Sequence, residues 1–326
     1  MRIFVTGAAG FIGSHFVRTV LSGGYPAYQD VEVTAYDKLT YAGNLANLET
    51  VSADPRYRFV QGDICDAGLL DEVLPGHDLV INFAAESHVD RSITGAADFV
   101  VTNVLGAQTV FDACLRAGTE RVVHIGTDEV YGSIDIGSWT EDQPLLPNSP
   151  YSAAKAAAEL LARAYFVTYG LNISTTRCSN NYGPYQFPEK VIPLFVTNLM
   201  DGLKVPLYGD GLNVRDWLHV DDHCRGIAIV AEKGQAGLSY NIGGGVELAN
   251  RELVERILAG CGAGWDSVEY VEDRKGHDRR YSVDDGRVRE LGYAPQHTLE
   301  DGLAETVAWY QANEAWWRPL KAGAVL

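Results

Sequence analysis

Apolar residues follow two rhythms in the first half of the chain. Short β-branched and aromatic runs at 3–6, 31–36, 58–61, 79–83, 122–125 and 172–177 read as strands. Helical stretches, among them 11–22, 99–117 and 151–169, follow most of them. Strands alternating with helices predict βαβ units and a parallel sheet. The run Leu79-Val80-Ile81-Asn82-Phe83 is apolar on both faces, the mark of a strand covered by helices on both sides. The fold class expected is α/β, a doubly wound parallel sheet.

The rhythm breaks after residue 177. Pro184, Pro188, Pro193 and Pro206 fall among Gly202, Gly209 and Gly211 in loop-rich sequence. A chain of 326 residues holds about two domains at ~150 residues each. Residues 1–177 are expected to form the first, and 178–326 mainly a smaller α/β unit, with a return to the first near 213–242.

Two helical stretches carry more apolar surface than a sheet can cover. Residues 99–117 include Val100, Val101, Val104, Leu105, Val110, Phe111 and Leu115, and the Ala-rich 151–169 adds Leu160, Leu161, Phe166 and Val167. A helix lying on a sheet shows water one polar face, so a second apolar face needs a partner. Two such helices from each of two subunits predict a homodimer through a four-helix interface. The alternative is burial beneath the second unit.

Composition narrows the function. The formal charge is −17, and a nucleic-acid binder needs a positive footprint. Hydrophobic residues make up 46%, yet no apolar run reaches the ~18 residues of a membrane span. The N-terminus reads as a strand and not as a signal segment, so the expected location is cytoplasmic. Cys65, Cys114, Cys178, Cys224 and Cys261 are odd in number and contain no C-x-x-C. Neither a disulfide framework nor a metal site is expected.

The sharpest motif follows the first strand. Gly7-Ala8-Ala9-Gly10-Phe11-Ile12-Gly13 joins that strand to a helix. Glycines there allow a tight turn and close approach of a pyrophosphate to the helix N-terminus. The second strand ends at Asp37, with Lys38 and Thr40 just beyond. An acid at that point accepts hydrogen bonds from ribose hydroxyls and repels a 2′-phosphate, which favours NAD over NADP. Its structural alternative is a strand-end cap. Asp63 and Ile64 after the third strand suit an adenine, and the small Ala84 and Ala85 after the fourth let a cofactor pass. The sheet is therefore expected to be a Rossmann-type NAD-binding unit.

Tyr151 and Lys155 are four residues apart at the start of a helix, so both leave one face. Ser149 and Pro150 suit the N-cap and first turn. An ammonium beside a phenol favours phenolate, which can take a proton from a sugar hydroxyl as a hydride leaves the same carbon. Both residues also border the expected cofactor site.

These features together resemble the extended short-chain dehydrogenase/reductase family over nearly the whole chain. That family acts on nucleotide sugars through a tyrosine, a lysine and a serine or threonine, and Thr127 stands at the hydroxyl's place. Asp128-Glu129 after it is similar to the Thr-Asp-Glu motif of dTDP-glucose 4,6-dehydratases. The resemblance implies that C4 of dTDP-glucose is oxidised, water is lost across C5 and C6, and C6 is reduced with internally recycled NAD. Glu129 suits the C5 base, and Asp128 suits the acid that helps the C6 hydroxyl leave, provided its pKa is raised. The bland alternative is a solvent-facing acid pair.

The same resemblance assigns Ser87, Asn180, Glu189, Lys190, Pro206, Tyr208, Arg215, Asn250, Arg274 and His277 to the substrate. Arg215 and Arg274 suit a diphosphate, since guanidinium binds phosphate oxygens in pairs; each alone also suits a surface ion pair. His88 reads as a structural hydrogen-bonder, and Trp316-Trp317 as core or interface. A 4-epimerase needs neither acid of the pair, an NADP-dependent GDP-mannose enzyme conflicts with Asp37, and a non-catalytic dinucleotide binder would lack Tyr151 and Lys155. Thymine and uracil differ by one methyl and leave no separate mark in these residues.

Overall fold

The structure, a computed structural model, describes residues 1–323. Six strands come first: β1 (Arg2–Thr6), β2 (Glu32–Asp37), β3 (Tyr57–Gln61), β4 (Leu79–Asn82), β5 (Arg121–Thr127) and β6 (Ile173–Cys178). Then follow β7 (Asn180–Tyr182), β8 (Val205–Tyr208), β9 (Val214–His219), β10 (Ser239–Ile242), β11 (Glu247–Ala249) and β12 (Val268–Val271). The central sheet is parallel throughout, in the order β10-β6-β5-β4-β1-β2-β3. Strand order reverses between β1 and β4, where open α/β sheets hold their ligands.

Alternation along the strands divides the core. Ile3, Val5 and Ile81 face one side with Phe16 and Val17 of the Phe11–Leu21 helix and Ile227 and Val230 of the Val220–Lys233 helix. Phe4 and Val80 face the other, with Phe111, Cys114, Ala158 and Ala162. Both faces are thus covered, as the unbroken apolar character of β4 requires.

The return of the chain to the central sheet is narrower than 213–242. The Val220–Lys233 helix and β10 join it, whereas β9 belongs to a three-stranded sheet with β11 and β7. A third core, with Trp217, Leu253, Ile257, Leu303 and Tyr310, lies under that smaller sheet. Trp317 is fully buried in it, and Trp316 Nε1 donates to Asn47 Oδ1 at 2.9 Å, tying the last helix to the first region. Packing is therefore what this tryptophan pair does.

The helix expected at 99–117 begins at Ala97 and contains a π turn, Val101–Gly106, before Ala107–Ala117. The helix expected at 151–169 runs Pro150–Tyr169. Its start is closed by a reciprocal cap: Ser149 Oγ accepts from Ser152 N–H at 3.1 Å, and Ser152 Oγ accepts from Ser149 N–H at 3.1 Å. Pro150 costs nothing there, because a first-turn N–H has no helical partner. Gly170 ends the helix with φ +73.

Ser149→Ala should lower stability by about 1 kcal/mol, the usual loss for an N-cap oxygen. The check is the denaturant midpoint; an unchanged midpoint would mean that tertiary contacts alone hold this helix start.

Candidate active site

A cavity of about 330 Å³ opens where the central strands end, at the reversal of strand order. Its floor is the first glycine turn. Gly7 has φ +63, and a Cβ there would lie 2.7 Å from Ala84 N; one on Gly13 would lie 2.3 Å from Gly7 O. Gly10 gives the Phe11–Leu21 helix no side-chain cap. The first-turn N–H groups of Phe11, Ile12 and Gly13 therefore lack helical partners, and all three residues line the cavity. Unpaired N–H groups and the helix dipole fit a pyrophosphate, so the residues present fit a dinucleotide.

The rest of that wall comes from the ends of β2, β3 and β4. Asp37 lines the cavity while Oδ2 accepts from Ala9 N–H at 2.9 Å and Oδ1 from Leu39 N–H at 2.8 Å. It is thus both a strand-end cap and a cavity carboxylate. Asp63 pairs with Lys38 at 2.8 Å. Thr40, Ile64, Ala84 and Ala85 complete the wall. Gly43, Glu86, Thr102, Gln186 and Phe187 line it too; Glu86 and Gln186 lie in stretches that resemble the family, and the other three carried no sequence signal. Thr102 reaches the cavity from the π turn, which helical periodicity does not announce.

Thr127, Asp128 and Glu129 arrive on the end of β5, Tyr151 and Lys155 on the Pro150–Tyr169 helix, and all five line the cavity. Asp128 is 2% exposed, and its Oδ2 has no hydrogen-bond partner among the described residues. Burial, then Glu129, then Asp216 push its carboxyl well above the usual range. Burial raises Glu129 as well, but Arg274, Arg215 and Lys190 pull it back. The neighbours thus separate two adjacent carboxyls: Asp128 holds its proton the more tightly, and Glu129 faces cations.

The electrostatics around Tyr151 do not carry the expected effect of Lys155. Lys155 Nζ donates to Ile125 O at 2.5 Å, and burial brings its own pKa down to about 8. Tyr151 is pushed well above the usual phenol range by burial and then by Glu129, while the Thr127 hydroxyl opposes the rise. The correction has a plain cause: the ammonium is engaged by a strand-end carbonyl, and the phenol is desolvated beside a carboxylate.

The expected substrate residues divide into two groups. Ser87, Asn180, Glu189 and Lys190 line the cavity, and Lys190 Nζ donates to Ser87 O at 2.7 Å. Pro206, Tyr208, Arg215, Asn250, Arg274 and His277 lie outside its lining. Tyr208, Arg274 and His277 gather around Asp90: Arg274 is 3.5 Å from Asp90, and the Tyr208 ring meets His277 edge-on. Arg274 Nε is buried without a partner among the described residues. Arg215 donates to Val214 O and Asp278 O and stacks over Tyr281 at 4.3 Å. Asn250 opens the Asn250–Gly260 helix, its N–H bonded to Asn213 O at 2.9 Å. His88 caps the Val89–Thr94 helix, with burial bringing its pKa down to about 4, so it is a neutral structural group.

The family model described as GDP-mannose 4,6 dehydratase matches residues 4–306. A dTDP-glucose 4,6-dehydratase of Streptomyces griseus is 63% identical over 98% of this chain and 97% of its own length. Among solved structures, a dTDP-glucose 4,6-dehydratase of Streptomyces venezuelae with NAD bound is 64% identical, with TM-score 0.97 over 98% of this chain and all of the other. One from Bacillus anthracis, also in complex with NAD, is 48% identical, with TM-score 0.90 over 98% of this chain and 99% of its own. With the family model matched over residues 4–306 and relatives of this identity over nearly the full length, the chain belongs to the dTDP-glucose 4,6-dehydratase family of extended short-chain dehydrogenase/reductases.

Proposed function

We propose that the chain converts dTDP-glucose to dTDP-4-keto-6-deoxyglucose and water, with NAD regenerated in each turnover. The observation that carries this reading is the divided acid pair, a buried Asp128 with a free carboxyl oxygen beside a Glu129 that faces three cations. Relatives of the same name solved with NAD support the cofactor.

NAD, when bound, supplies a hydride acceptor for C4 and a hydride donor for C6. Tyr151 Oη takes the proton of the C4 hydroxyl, and Thr127 Oγ1 steadies that oxygen. The C4 ketone acidifies the C5 proton, and a Glu129 carboxylate oxygen removes it. Asp128 gives its proton to the C6 hydroxyl, which leaves as water, and Glu129 returns a proton to C5. Two protons are removed and two delivered, so the site ends each cycle balanced once Tyr151 and Asp128 exchange theirs. Lys155 holds positive charge beside the reacting hydroxyl.

We further place a dimer interface on the two apolar helices. Val101, Leu105, Leu160 and Val167 are 48%, 52%, 60% and 63% exposed, and nothing among the described residues covers them. A continuous apolar face of this kind marks an association surface. The five cysteines are unpaired, which suits a reducing, cytoplasmic setting. Among the described residues no helix is long and apolar enough to cross a membrane.

Incubated with dTDP-glucose and no added reductant, the protein should yield a product lighter by one water. Glu129→Gln should instead oxidise C4 and stop, giving a sugar nucleotide that has lost two hydrogens and no water. Undiminished water loss by that variant would remove Glu129 from the mechanism.

The Lys155 ammonium is present below its pKa and lost above it. kcat/KM should therefore fall as pH rises through about 8, and Lys155→Arg should move that limb upward, since guanidinium keeps its charge. A limb that stays in place would assign it to another group.

Leu160→Arg should convert a dimer to monomer in analytical ultracentrifugation. A wild-type protein that sediments as a monomer at assay concentration would overturn the interface.

A further inference from the structure

We propose that Tyr41, Arg91 and Glu189 form a clasp that keeps the dinucleotide in the cavity between the oxidising and reducing halves of the cycle. The three come from separate segments: the loop after β2, the Val89–Thr94 helix after β4, and the loop after β7. The Arg91 guanidinium stacks over the Tyr41 ring at 4.0 Å and bonds Glu189 Oε2 at 2.9 Å. Glu189 has a side chain only 2% exposed, and Lys190 and then Arg91 oppose the rise that burial causes in its pKa. The Tyr41 ring also meets Phe187 edge-on at 5.7 Å.

The segments so joined are walls of one cavity. Lys38, Thr40, Ala42 and Gly43 line it from the first loop, Glu86 and Ser87 from the second segment. Phe187, Glu189 and Lys190 line it from the third. The first loop is bent tightly back. Leu39 holds φ +58, unusual for a branched side chain, and Asn44 N–H bonds Ala9 O at 3.0 Å beside the glycine turn. Moving this loop outward means parting Tyr41 from Arg91.

The reaction explains why a clasp is wanted. The hydride taken from C4 must return to C6 of the same sugar, so if the cofactor leaves in its reduced form the dehydrated sugar has no reductant and that cycle cannot finish. This inference rests on the proposed dehydratase reading, but its test does not use turnover.

The experiment is the dissociation rate of NADH from the loaded protein, followed by stopped-flow fluorescence with excess NAD as competitor and no sugar nucleotide. Arg91→Ala and Tyr41→Leu should each speed release by about tenfold, the factor that ~1.4 kcal/mol of lost contact gives. Because the two side chains act on one another, the double variant should release no faster than the faster single. Tyr41 is a loop residue outside the cores, so its variant keeps the test open if Arg91→Ala does not fold. Unchanged release in the folded variants would overturn the clasp, and so would rates that multiply in the double variant. Either result leaves the dehydratase assay untouched, and failure of that assay with faster release would count against the reaction and not the clasp.

Discussion

The site depends on how closely β1 and β4 allow their connecting backbones to approach. Gly7 sits with its missing Cβ 2.7 Å from Ala84 N, and Gly13 with its own 2.3 Å from Gly7 O. A side chain at either point would part the strand ends or unseat the helix. With both absent, the helix N-terminus lies against the sheet at the reversal of strand order, and the cavity has a floor made of backbone. The Thr6 hydroxyl reinforces the same seam, accepting from Ala84 N–H at 3.2 Å and donating to Asn82 Oδ1 at 2.5 Å. Tyr151, Asp128 and Glu129 line the same cavity.

Desolvation then sets the chemistry. Asp128, Tyr151 and Lys155 are each at most 9% exposed, so each is driven toward its neutral form. What distinguishes them is their neighbours. Burial raises Glu129 too, but Arg274, Arg215 and Lys190 oppose that rise. Asp128 lacks a partner for one oxygen and lies beside two other carboxyls, so it remains an acid. Burial alone would make every group neutral and leave neither a base nor an acid pair with separate tasks.

Much of this was legible in sequence because it rests on short-range rules. A glycine turn after a strand, an acid at the next strand end and a Ser-Pro helix start each follow from backbone sterics or capping. Strand runs are similarly local, and each of the six lies within two residues of its observed position. What escaped depends on contacts distant in sequence. No local signal says that β9 pairs with β7 and β11 while the helix after it returns to the central sheet. Thr102 enters the cavity through a π turn inside an otherwise regular apolar pattern. The state of Tyr151 was misjudged for the same reason: spacing places Lys155 on its face, but only the fold reveals Ile125 O as the partner of that ammonium.

The surroundings of Tyr151 oppose the ionisation that the proposed reaction asks of it. Tyr151 must lose a proton to act as base, yet its surroundings hold that proton on. A positive charge placed in the cavity would favour phenolate and would also offset the carboxylate of Glu129, the chief electrostatic opponent of that ionisation. Oxidised nicotinamide is such a charge, and the cavity that Tyr151 lines also has the glycine turn that fits its pyrophosphate. In the proposed reaction an oxidised cofactor would therefore favour the phenolate. The same coupling suits the return half of the cycle, in which C4 stays a ketone and Tyr151 has no proton to remove.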